Sequence, residues 1–238
     1  MKVSEYSEIA TEALVYGFSA DAFAVFDPDH SPLTREGRIL PLDHVKRILI
    51  EFSFFSRALP EVLAKAFEVI GPDAPLSLKH EILLNLAEEL GYVEPVKGQI
   101  GLSHHALLIA EIERHFGVDP EKIEMAPRTR VFLGKVQGQF NGQQAPAFGA
   151  LAALELSAVP EIKLVREICT RCFRAEGIEA SREFWLFLDA HISEFEIQHS
   201  ARLIETAPDV LRSDDARVQA VAGFRETAGH LVDWWAQA

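Results

Sequence analysis

The stretch FWLFLDAHISEFEIQHSARLIE, Phe184 to Glu205, sets two imidazoles and several carboxylates among large apolar side chains. Glu196 and His199 are three residues apart, a spacing at which two side chains leave a helix about 60° apart and can grip one ion. His191 lies eight positions before His199. On an ideal helix that is roughly 80° away, on a face shared with Phe187, Leu188 and Phe195. A one-residue π-bulge between them would bring His191, Glu196 and His199 together, and such bulges occur preferentially at functional sites.

The same test, a titratable residue sharing a helix face with bulky apolar neighbours, selects further candidates. His105 has Leu108, Ile109, Ile112 and Phe116 along its face, whereas His104 keeps the more solvated company of Glu111 and His115. Glu155 has Phe148, Leu151 and Ala152 in the turns behind it, and a carboxylate buried there without a partner costs several kcal/mol, on the order of 3 or more. Glu88 and Glu89 are adjacent in EILLNLAEELGY, and periodicity alone leaves open which one turns inward. The expected ligands are then Glu89 (or Glu88), His105, Glu155, His191, Glu196 and His199. A mixed nitrogen and oxygen set suits redox-capable first-row metals, two iron ions or else manganese, rather than calcium or structural zinc. The chemistry of such a site is capture and reduction of dioxygen. The bland readings are a solvated helix face for the His191 stretch, an arginine-paired Glu155 (Arg128, Arg130 or Arg182) and a core histidine at 105.

Helical periodicity dominates the rest of the chain, over roughly 4–24, 42–70, 76–90, 103–116, 128–140, 146–173, 181–206 and 214–236, with alternating strand-like runs essentially missing. Gly71-Pro72-Asp73 and Gly117 mark helix ends, and Ser213 is an expected N-cap. Pro60 is expected to kink or split its helix. The segments FDPDHSPLTREGRILP and GYVEPVKGQIGLS read as surface connections. Cys169 and Cys172, a C-x-x-C inside a helix, read as core thiols, because redox pairs of this kind usually sit at a helix N-terminus. One all-α domain spanning 1–238 is the economical reading.

With 238 residues, 48% of them hydrophobic, the chain can bury a substantial core. A formal net charge of −13 argues against nucleic acid or an anionic membrane as partner, since both need positive charge. Two cysteines make no disulfide framework. Glu5 and Glu8 stand where a secretory signal would be apolar, and no apolar run approaches the ~18–20 residues of a membrane span. A cytoplasmic protein is expected.

At these residues the sequence resembles the haem-oxygenase-like di-iron oxidases and oxygenases, relatives of the TenA and PqqC proteins, over most of its length. NLAEELG (85–91) is similar to the family's N-x-x-E-E-x-G helix end, pointing to Glu89 with Glu88 as the alternative. HALLIAEIERHFG supplies a histidine, His105, ahead of a leucine-rich face closed by Gly117, and GALAALE ends at Glu155. HISEFEIQH matches a pattern of histidine, three residues, an acid, two residues and histidine, except that the first histidine is one residue early: the pattern falls on Ile192. The resemblance implies a haem-oxygenase-like (TenA/PqqC-like) bundle of seven to eight helices. It further implies a homodimer and a non-haem iron enzyme that uses O2 to oxidise a small organic molecule. The alternative it leaves is a metal-free TenA-like hydrolase of thiamine fragments, for which Cys169 or Cys172 must reach the cavity, or a PqqC-like cofactor-type oxidase.

Overall fold

The computed structural model describes residue 18 and residues 20–94 and 99–238, without the side chains of residues 20, 73, 93, 94, 99, 100 and 194–196. Among the described residues the chain is almost wholly helical. It forms α1 (Leu42–Ile70), α2 (Leu76–Glu89), α3 (His104–Phe116), α4 (Pro127–Gly138) and α5 (Gln144–Glu176). Then follow α6 (Arg182–Ala190), α7 (Glu194–Glu205), the single turn α8 (Ala207–Val210) and α9 (Asp214–Ala236). The one exception is an antiparallel ribbon, β1 (Tyr92–Glu94) with β2 (Gln99–Ile100), inside a segment expected to be a plain surface connection. The expected helix 4–24 lies largely outside the described residues, and its described end, Ala20–Phe26, is a 3-10 helix. No described helix is long and apolar enough to cross a membrane.

Local chemistry sets most boundaries. Ser103, Ser181 and Ser213 cap α3, α6 and α9, each hydroxyl accepting the backbone N–H three residues on, at 3.0–3.1 Å. α3 and α5 end where Gly117 (φ 61°) and Gly177 (φ 66°) take the left-handed conformation. Of the kink or split expected at Pro60, the split does not occur: α1 runs on through it. A proline inside a helix costs about 3 kcal/mol, but here it sits between Phe54 and Phe55 on one side and Val62, Leu63 and Ala66 on the other, all buried. Burial is worth roughly 1.5–3 kcal/mol for each large apolar side chain, which outweighs the lost bond.

α1 runs through the middle of the bundle and packs against α2, α3, α4 and α5. α5 and α9 make the closest crossing. A Cβ on Gly149 would lie 1.8 Å from the carbonyl oxygen of Ala220, and one on Gly223 would lie 2.3 Å from that of Pro146. The two helices therefore touch backbone to backbone. The Gly149→Ala variant is expected to lose about 1–3 kcal/mol of unfolding free energy in a urea titration. Gly229→Ala on the same α9, where an added Cβ meets open space, should instead be neutral or gain roughly 0.5–1 kcal/mol.

Candidate metal centre

Three helix ends meet at one point. Glu89 is the last residue of α2, His104 the first of α3, and His191 the C-cap of α6. Glu89 Oε1 lies 3.0 Å from His104 Nδ1, and His104 Nδ1 lies 3.1 Å from His191 Nε2. All three donor atoms fall within 4.8 Å of one another. Glu89 is buried. The negative ends of α2 and α6 and the positive end of α3 meet here.

Each donor is aimed by its own surroundings. His191 Nδ1 is 2.8 Å from the carbonyl oxygen of Phe187. A carbonyl only accepts, so the proton sits on Nδ1 and Nε2 presents its lone pair, the usual arrangement of a metal-binding imidazole. His104 meets Glu89 because Gly91 (φ 92°) turns the chain into the ribbon. A Cβ there would stand 2.8 Å from both the Gly101 oxygen and the Ser103 nitrogen, so only glycine lets the return strand close. On α3, Glu111 follows His104 two turns later on the same face. Glu111 is buried, accepts the Ser181 N–H at 2.8 Å and is paired with His115 Nε2 at 2.8 Å. α3 and α6 are thus clamped antiparallel, Glu111 on Ser181 at one end and His104 on His191 at the other.

These donors border a cavity walled by Phe52, Phe55, Leu59, Leu154, Ile162 and Phe187. It offers water-sized molecules about 70 Å³ measured at their centres, several times what one water requires. Glu88, Glu155 and Glu161 also face it. A second, smaller cavity lies behind, bounded by Glu81, Asn85, Glu155 and His199. Glu155 and Asn85 belong to both, and the Asn85 side-chain amide donates to Glu155 Oε1. His199 Nδ1 stands 3.1 Å from Glu81 Oε2, and its Nε2 lies 3.9 Å from Glu88 Oε2. Arg202 pairs with the other Glu81 oxygen at 3.0 Å.

Burial favours the neutral forms of His191 and His199. Burial, then the neighbouring His104, pushes His191 down to about 4, and burial also lowers His199 despite Glu81 beside it. Burial raises Glu88, against the pull of His104. A neutral histidine is the form a metal binds.

The structure thus brings Glu89, Glu155 and His191 to one cavity and places His199 in the adjoining one. It moves His105 away: its Nε2 lies 3.8 Å from Glu121, with Arg57 nearby, and its place is taken by His104. The misassignment arose because Glu111 and His115 looked like a solvated face, whereas they form the buried clamp. The Glu196 side chain lies outside the described residues. The expected single helix 181–206 is two helices, broken at His191–Ser193. That break, rather than a π-bulge, turns His191 inward. Glu155 accepts a hydrogen bond from Asn85. Cys169 and Cys172 are buried core thiols, and neither lines the cavity. Glu81 and Glu161 went unnoticed, although Glu161 has Ala158, Leu164, Val165 and Ile168 along its face, the same signature that selected Glu155.

A family model described as a domain of unknown function with solved structure (DUF3865) matches residues 14–238. Two crystal structures of a CADD-like protein of unknown function from Nostoc punctiforme PCC 73102 share this chain's fold. One matches with a TM-score of 0.80 and 20% identity over 96% of each chain. The other matches with a TM-score of 0.77 and 18% identity, over 96% of this chain and 94% of that one. No curated protein matches.

Glu161 gives the site a measurable signature. Burial pushes its carboxyl up to about 8, from 4.5, against the pull of Ser157 and Trp235. The unfolded chain gives up this proton at the ordinary carboxylate value, so between the two values the folded state binds more protons. The stabilising contribution is full at low pH and is lost as pH rises through about 8. Glu161→Gln removes that loss. In thermal or urea unfolding the variant should gain on the wild type between pH 5 and pH 8, by on the order of 3 kcal/mol at the upper end.

Proposed function

We propose, for a chain that belongs to the DUF3865 family, the function of a non-haem iron-dependent oxidase or oxygenase acting on a small organic molecule in the central cavity. Its fold family would be the haem-oxygenase-like bundle that the sequence pattern resembles. The observation that carries the reading is the convergence of Glu89, His104 and His191. Their successive donor separations of 3.0 and 3.1 Å match the edge of a coordination octahedron with bonds of about 2.1 Å, which is roughly 3.0 Å. Two nitrogens and one carboxylate oxygen also suit ferrous iron, with positions left open.

Iron, when bound there, supplies the single-electron chemistry by which dioxygen reacts with organic molecules, which side chains alone do not provide. The chain's own groups do the rest. Glu89 contributes the charge that balances a cation. His191 needs no deprotonation, being already neutral, and Phe187 holds both imidazoles edge-on, with ring centroids 5.2 Å from His104 and 4.6 Å from His191. Phe52, Phe55 and Phe187 keep bulk water from the cavity. Glu155, common to both cavities, lies between this centre and a second group of donors, His199 and Glu88, with Glu81 orienting the His199 ring as carboxylates orient metal-bound imidazoles.

Anaerobic titration of chelator-treated protein with ferrous iron, followed by metal analysis, tests the reading. Up to two ions per chain are expected. His104→Ala and His191→Ala should each weaken the tighter site at least tenfold, since even the loss of an orienting partner costs roughly that much, whereas His105→Ala should leave it intact. Equal loss in the His105 variant, or less than one ion bound by the wild type, would sink it.

A further inference from the structure

Glu88, Glu89, Glu155 and Glu161 line the central cavity, and among the described residues no lysine or arginine does. The first three stand at the end where cations are expected. Glu161 is different: it lies six residues beyond Glu155 on α5, roughly 9 Å further along the helix axis. It is 2% exposed, and its Oε1 has no hydrogen-bond partner. The Ser157 hydroxyl, one of its two polar neighbours, donates instead to the Leu154 carbonyl oxygen at 3.0 Å. Its other polar neighbour, the Trp235 indole N–H, is likewise unpaired, and a buried carboxyl with an unpaired oxygen at the wall of a cavity is costly unless something bonds to it. The remaining walls are mostly apolar, Phe52, Phe55, Leu59, Ala158 and Ile162, with the Ser56 hydroxyl among them.

We propose that Glu161 anchors the ammonium group of a small primary amine, whose apolar chain or ring lies along the aromatic wall and whose far end faces Glu89, His104 and His191. This names the substrate class of the reading above and rests on it for the role of the ligand end. A cation beside Glu161 stabilises the ionised carboxylate, and the displaced proton leaves to solvent. At the Glu161 end a substrate carboxylate meets like charge, with no lysine or arginine among the described lining residues to receive it. Neutral alcohols of the same length forgo the ion pair.

Calorimetric titration of the full chain, both metal-free and loaded with redox-inert zinc, with hexylammonium, phenethylammonium, hexanoate and hexanol is the test. The ammonium compounds should bind at least tenfold tighter than hexanoate or hexanol, and Glu161→Gln should remove that advantage. Leu59→Trp, which fills the cavity without touching Glu161, should also abolish binding. Undiminished ammonium binding in the Gln variant, hexanoate binding as tightly as hexylammonium, or no ammonium binding to the wild type in either form would overturn the proposal. Iron stoichiometry of Glu161→Gln separates the two readings: it should equal that of the wild type whatever the amines do.

Discussion

A carboxylate that leaves water must find positive charge or a proton, and Glu89 is the place where this chain meets that demand. It is buried at the negative end of α2, opposite the negative end of α6. The positive end of α3, which starts at His104, and the His104 ring 3.0 Å from the carboxylate are what makes its burial tolerable. Much of the surrounding architecture keeps that ring and its neighbour His191 in place. The Gly91 turn and the short ribbon return His104 to Glu89, and the Glu111 clamp fixes α3 against α6. The break after Ala190 frees His191 from the helix that carries it.

How much of this was written in the sequence depended on whether a feature was local. Helices such as 103–116 and 214–236 were legible almost to the residue, since Gly117 at the end of one and Ser213 at the start of the other act on their own neighbours. Glu155 was legible too, because its apolar company lies on the same helix. The His104 assignment failed because the partner of α3's polar face is on another helix. Seen in one segment, Glu111 and His115 are indistinguishable from a wet surface, and only Ser181, seventy residues away, makes them interior. The helix break at His191–Ser193 escaped for a similar reason. No proline or glycine marks it, and apolar residues continue in register on both sides. Pro60 erred in the opposite direction: a local rule was overridden by burial on both of its flanks.

α5 connects the parts. It touches α9 through glycine, carries Glu155 into the partition between two cavities and brings Glu161 to the far wall. Its backbone contact with α9 leaves little freedom for sliding, since helices without side chains between them have no soft layer to deform. The separation between the two carboxyl-bearing positions is therefore set by helix geometry, a stiffer determinant than any loop would provide.

Cys169 and Cys172 lie further along that same helix, both buried, and burial raises both thiols, Cys169 strongly. Sulfur is oxidised chiefly as the thiolate, and access governs the rate. A molecule whose sulfhydryls stay protonated and out of reach tolerates peroxide and other oxygen by-products in its surroundings without forming sulfenic acids or crosslinks.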